Sequence, residues 1–178
     1  MIVNIIAGLV LIFSFIGGIA QGAVKSLFSL VASLLALWLT GLCYHIPAGW
    51  LSFIRGENWE NFLGFIITLA VISIVLHLIL FLPRFILNKL WFIKGLLFRL
   101  LGGIFNLFNC AIGLTVFTLL VAAYPIMGWL EDAVLGSSIL TGLVHYLGFI
   151  QALIPGLGQG GEGTSVLLPL LQWLQSWT

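Results

Sequence analysis

About 25 consecutive apolar residues, Leu100 to Tyr124, constrain this chain more than any other stretch. Some 20 helical residues cover the ~30 Å hydrocarbon core of a bilayer, so the run is long enough to cross with some tilt. Just before it lies a short linker, opened by Pro83, that carries Arg84, Lys89, Lys94 and Arg99, four of the six Lys and Arg residues in the sequence. A basic collar at the mouth of a spanning helix sets which end faces the cytoplasm.

Composition makes the membrane assignment general. Hydrophobic residues make up 62% of the chain and charged residues 6%, against about 25% charged in ordinary soluble domains. No soluble fold could cover so much apolar surface with so little polar cover. The charges sit between apolar runs, so no polar stretch is long enough for a separate soluble domain. The expected fold class is all-α: four transmembrane helices over about 2–20, 26–43, 61–82 and 100–124, together forming a domain over 1–125. An amphipathic segment over 126–155 and a linker with a terminal anchor over 156–178 complete the chain. A net charge of +1 gives no footprint for nucleic acid. Cys43 and Cys110 lack CxxC spacing and lie in or at the ends of apolar runs, so they read as small packing residues. No metal or other cofactor is expected.

The first run, Ile2 to Ala20, has no basic residue before it and reads as a helix of the mature protein rather than a cleaved signal. Ser14, Gly18 and Gly22 form a small-xxx-small row. The second run repeats small or hydroxylated residues at Gly22, Ser26, Ser29, Ser33, Ala36 and Thr40, steps of four and three that keep them on one face. In lipid, small faces let backbones approach and so drive association. A tight hairpin of the first two helices is the expectation. A polar loop follows from Tyr44 to Glu60, its Trp50 and Trp59 suited to the headgroup zone.

The third run, Asn61 to Leu82, is expected to stop at Pro83. His77 lies inside it, about a turn and a half from the inner boundary. A histidine within a span is a functional candidate by default, the other reading being a neutral imidazole bonded to a neighbouring helix. The fourth run carries Gly102, Gly103, Asn106, Asn109, Cys110 and Gly113, largely on one stripe. Its amides need partners in hydrocarbon, and interhelical hydrogen bonds there contribute roughly 0.6–2 kcal/mol each. By depth, His77 and Asn106 should face each other across the third and fourth helices. Gln21, Ser29, Ser33, His77, Asn106 and Asn109 thus form a candidate intramembrane polar cluster, and Gly18, Gly22, Gly102, Gly103 and Gly113 the candidate packing residues.

After Pro125, the segment Ser138 to Ile154 has Leu140, Leu143, Val144, Leu147, Ile150 and Ile154 on one face and Ser138, Thr141, His145 and Gly148 on another. It fits an amphipathic helix lying on the membrane or against the bundle, a further span or re-entrant segment being the other option. A Gly-rich linker leads from Pro155 to Thr164, and a Leu- and Trp-rich end from Ser165 to Thr178 reads as an interfacial anchor.

Three stretches carry a family resemblance: Gly17-Gly18-Ile19-Ala20-Gln21-Gly22 through Ser29 to Thr40, then Arg99-Leu100-Leu101-Gly102-Gly103-Ile104-Phe105, then Ser137-Ser138 with the apolar segment ending at Pro155. In order and spacing, over roughly Asn4 to Pro155, the chain resembles the colicin V production protein family of bacterial inner-membrane proteins. It departs from the family pattern at Asn4, where an Asp is common, at Gln21, where a basic residue often stands, and at Asn106 and Asn109-Cys110. The resemblance implies a multi-span inner-membrane protein linked to colicin V production or export and to envelope integrity, and it implies no enzymatic reaction.

Three classes of function follow as expectations. The first is an accessory or scaffold protein whose partners are the bilayer and other membrane proteins or further copies of itself. The second is a channel or transporter subunit, whose polar inner-half vestibule would need an oligomer because four short spans make a thin wall. An intramembrane enzyme has least behind it: the sequence has no HExxH, no paired carboxylates within a span and no GxSxG.

Orientation follows from the cations. Lys25, Arg84, Lys89, Lys94 and Arg99 flank the first and third connections, against Arg55 on the other side. A cysteine-accessibility map should therefore label the 84–99 linker from the cytoplasm and both termini from outside; labelling of the linker from outside would overturn this topology.

Overall fold

In hydrocarbon every backbone N–H and C=O must be satisfied within its own segment, so long apolar runs become helices whatever their intrinsic propensity. The structure, a computed structural model, describes residues 2–43, 46, 57–90, 95–124, 127–150 and 154, with the backbone alone at 57–58 and 82–90. Among the described residues the order is α1 (Ile2–Gln21), α2 (Ala23–Cys43), α3 (Glu57–Leu90), α4 (Leu96–Ala123), α5 (Gly128–Leu135) and α6 (Ser138–Tyr146). Helices α1, α2 and α4, and the Trp59–Phe81 portion of α3, are long and apolar enough to cross a membrane. The chain is an all-α, multi-pass membrane protein.

Several boundaries differ from the sequence expectation: α2 starts at Ala23 rather than Ser26, and α3 at Glu57, inside the stretch expected as a loop to Glu60. Helix α3 does not stop at Pro83 but continues to Leu90. A proline removes one backbone donor, a cost that α3 absorbs just beyond its spanning Trp59–Phe81 portion. Helix α4 starts at Leu96 behind an extended Gly95, so Arg99 sits in its first turn rather than in the linker before it. The basic side chains Arg84, Lys89 and Lys94, the loop residues Pro47, Trp50 and Arg55, and the linker and anchor over 156–178 lie outside the described residues and side chains.

One residue separates α1 from α2. Gly22 has φ +82°, a left-handed conformation that a Cβ would strain. Its N–H donates to Gly18 O at 3.0 Å, and its carbonyl accepts from Ser26 N at 3.2 Å, so the two helices abut with their backbone bonding nearly unbroken. They do not form the expected tight hairpin. Helix α1 packs chiefly on α4, α2 packs on both α3 and α4, and contact between α1 and α2 is sparse. The small faces of α1 and α2 are both used, but the element between them is α4.

The glycines at the start of α4 make this possible. A Cβ on Gly102 would lie 2.6 Å from Gly18 O, 2.6 Å from Gly22 C and 2.9 Å from Ala23 N. Gly102 therefore sits against the backbone of the α1–α2 turn itself. A Cβ on Gly18 would meet Gly103 Cα at 2.8 Å, and one on Gly103 would meet the Phe15 ring at 2.8 Å. From that apex α1 and α4 run antiparallel. Phe98 meets Gly22, Gly102 meets Gly18, Asn106 meets Ser14 and Cys110 meets Val10. Each step of four residues back along α1 is matched by a step of four forward along α4, the pattern of i±4 ridges meeting at small residues.

Further along α4 the residues grow larger. Ile112, Val116, Leu119, Leu120 and Val121 are buried in one core with Ala7 of α1, Leu37 of α2 and Phe62 and Phe65 of α3. Val134 of α5 and Leu140, Val144, Leu147 and Ile150 from α6 onward complete this wide end. The apolar face expected over 138–154 thus points into the bundle, and α6 packs on α4 and α1. The helix ends at Tyr146 and a turn follows at Leu147 and Gly148, short of the expected Ile154. Thr141, expected on the polar face, is buried and donates its hydroxyl to Ser137 O at 2.8 Å.

Gly113 was expected among the packing glycines. It is exposed, and a Cβ there would meet nothing within 4 Å. Its spacing matches the stripe, but among the described residues no helix covers that side of α4.

The contrast gives a prediction of opposite sign. Gly→Ala in a helix gains roughly 0.5–1 kcal/mol of propensity, so Gly113→Ala should hold or raise stability. Gly102→Ala should lower it by roughly 1–3 kcal/mol, because backbone atoms cannot step aside as a flexible side chain would. Denaturant unfolding in mixed micelles reads both.

Candidate functional site

The same antiparallel register places Asn106 of α4 against Ser14 of α1. Ser14 Oγ donates to Asn106 O at 2.9 Å, while Asn106 Nδ2 donates to Ser14 O at 2.6 Å and to Ser14 Oγ at 3.0 Å. A residue on each helix thus bonds both backbone and side chain of the other, one turn beyond the Gly18–Gly102 approach. The backbones must be close for this: the short Ser and Asn side chains reach a facing carbonyl only across a small-residue contact.

A second bond ties α4 to α2. Asn109 Nδ2 donates to Ser29 Oγ at 3.3 Å. Asn106 and Asn109 are three positions apart, so they diverge enough around α4 to address different neighbours. A weaker contact, Cys110 Sγ to Val10 O at 4.0 Å, continues the α1 side. Helix α4 is in this way tied by polar bonds to both arms of the α1–α2 pair.

At the far end of α1 a third tie holds the start of α6. Asn4 Oδ1 accepts from the Ser137 hydroxyl and from Ile139 N at 3.4 Å. Ser137 is the N-cap of α6, and its Oγ also accepts from Leu140 N at 3.4 Å. Helix starts leave backbone donors unpaired, and here a side chain from another element satisfies one of them.

The expected polar cluster is therefore divided. Asn106, Asn109 and Ser29 are engaged between helices. Ser33 turns back on its own helix, donating to Leu30 O at 2.8 Å. Gln21 is exposed at the end of α1. His77 does not face Asn106. It lies exposed on α3, its Nδ1 2.9 Å from Ser73 O one turn earlier. Depth along the helix was a fair guide to neither partner, because depth says nothing of rotation: α3 joins the bundle chiefly through α2, while Asn106 points to α1.

Sequence reasoning placed Ser14 only in a packing row and Asn4 only as a departure from a family pattern. The signal for Ser14 was present. Aligning its row antiparallel to Gly102, Asn106 and Cys110 sets it opposite Asn106. No comparable signal joined Asn4 to Ser137, which lie 133 residues apart. Ser26 Oγ and Thr40 Oγ1 on α2 are buried without a hydrogen-bond partner. Among the described residues no three His, Cys, Asp or Glu side chains gather as metal ligands. What the arrangement does chemically is join helices.

Comparison with known proteins agrees with the architecture. The family model described as Colicin V production protein matches residues 3–152. Neither a curated protein nor a solved structure gives a significant match.

Asn106→Leu should lower bundle stability by about 1–2 kcal/mol, since it removes the reciprocal bonds to Ser14. Asn109→Leu, which loses one longer bond, should cost less. Denaturant titration of the purified variants in micelles checks the order; a larger loss from Asn109→Leu would contradict it.

Proposed function

The chain belongs to the colicin V production protein family, and from that premise we propose that it is an accessory or scaffold protein of the bacterial inner membrane, assisting colicin V production or export and maintenance of the envelope. The observation carrying this reading is how the intramembrane polar groups are used. Asn106, Asn109, Ser14 and Ser29 bond to one another between helices, which makes a rigid bundle rather than a lining for water or solute. The alternative of a channel or transporter subunit has less support within one chain, because the residues named for its vestibule are divided between interhelical bonds and an outward face.

The outer cap extends the scaffold reading. Trp129, Tyr146 and Phe149 are exposed around α5 and α6, a placement that suits the headgroup zone or an aromatic contact with another membrane protein. The bias of five among six basic residues to one side supports an orientation with the 84–99 stretch, the end of α3 and the start of α4, in the cytoplasm and both termini outside. No reaction is assigned to the chain.

Purification of the full chain from native membranes in mild detergent tests this reading. A stable complex with other envelope proteins is expected. Solute or ion flux through liposomes holding the purified chain by itself, abolished by Asn106→Leu, would contradict it.

A further inference from the structure

His77 presents an unanswered chemical demand. Ionisable residues within a span ordinarily face the bundle interior or a partner, yet this one is exposed on the outer side of α3 in a groove lined by Ser73, Ile74, His77, Leu78 and Phe81. The Ser73 carbonyl can only accept, so His77 Nδ1 carries the hydrogen of their 2.9 Å bond. In the uncharged ring this leaves Nε2 as a bare acceptor pointing away from its own helix. The side chains of Ile74, Leu78 and Phe81 beside it offer it no donor.

The same groove holds a donor. The Ser73 hydroxyl has no hydrogen-bond partner among the described residues, although its carbonyl is engaged by His77. Within one helix Ser73 cannot serve Nε2, because the ring is already turned back on the Ser73 carbonyl through Nδ1. A second copy could. Every copy inserts with the same topology, so two α3 helices related by a two-fold axis along the membrane normal run parallel, and each Ser73 can reach the other's His77.

A second observation points the same way. Within a wider exposed face that also carries Ile66, Val71, Val75, Leu78 and Ile79, the residues Ile67, Ala70, Ile74, His77 and Phe81 follow one another at steps of three, four, three and four. That is the a/d spacing of a parallel helix pair over two heptads, with a small residue at Ala70 for close approach and one polar position that fixes register. We propose that this face of α3 is a self-association surface, on which His77 Nε2 of each copy accepts a hydrogen bond from the Ser73 hydroxyl of the other. It goes beyond the scaffold reading and does not depend on it, since the surface would pair whatever the bundle carries.

In-membrane disulfide trapping of the full chain, with Cys43→Ala and Cys110→Ala removing the native thiols, tests the surface. Ile74→Cys should cross-link to a second copy, whereas Phe13→Cys, on the exposed face of α1, reports random collision. His77→Leu and Ser73→Ala should each weaken dimerisation about 3- to 20-fold, and the double variant no further, if the two groups form one bond. His77→Gln should retain the dimer, because its amide oxygen still accepts; this guards against a variant that merely fails to fold. Three results would overturn the proposal: trapping at Ile74→Cys no better than at Phe13→Cys, trapping indifferent to His77→Leu, or cross-linking of Ile74→Cys to a different protein.

Discussion

The close approach of the α4 backbone to the α1–α2 turn is the constraint from which the rest of the bundle follows. Association in lipid gains little from moving apolar surface between apolar surroundings, so contact distance and polar bonding decide which helices pair. Gly102 lies where a Cβ would be 2.6 Å from backbone atoms of both Gly18 and Gly22. Nothing larger than hydrogen fits there. Once that contact is made, the four-residue rows of α1 and α4 are in register, and Ser14 and Asn106 meet within bonding distance. The hydrogen bonds are therefore a consequence of the glycines as much as a cause of the pairing.

The taper of α4 carries that constraint to the other end of the molecule. Small residues at its start hold α1 and α2 near their shared turn, and the branched and aromatic residues beyond Ala111 fill the space where the arms separate. Space remaining at the wide end is filled by Leu140, Val144 and Ile150, and Asn4 holds the start of α6 in place through Ser137 and Ile139. The same helix thus sets both the narrow and the wide end. Helix α3 stands apart from this scheme, joined chiefly to α2, and it carries His77 exposed on its outer face.

Much of this was legible in the sequence, and the reasons divide cleanly. The spans could be read because about 20 apolar residues are needed to cross hydrocarbon and few other structures tolerate them. The buried face of 138–154 could be read because a 3.6-residue period survives in any helix with one covered side. Partner choice could not be read. The row Ser14, Gly18 and Gly22 names a face of α1, and a small face fits α2 or α4 equally well until the φ of Gly22 sends the arms apart. Gly113 shows the converse, since it shares the spacing of Gly102 and Asn106 but lies where no neighbour comes. Pro83 reads as a stop from its usual behaviour, and α3 runs through it to Leu90 all the same, because one missing backbone donor does not by itself end a helix.

The bundle is held where backbones meet, with Asn106, Asn109, Ser14 and Ser29 bonded between helices. That account stands on the Gly18–Gly102 contact. Solid-state NMR of the chain in lipid bilayers, with the Gly18 carbonyl and the Gly102 Cα isotopically labelled, addresses it most directly. A strong through-space cross-peak between the two sites is the predicted result. Its absence, in a sample whose Asn106 and Ser14 signals are resolved, would mean that α1 and α4 do not meet backbone to backbone and would contradict the account.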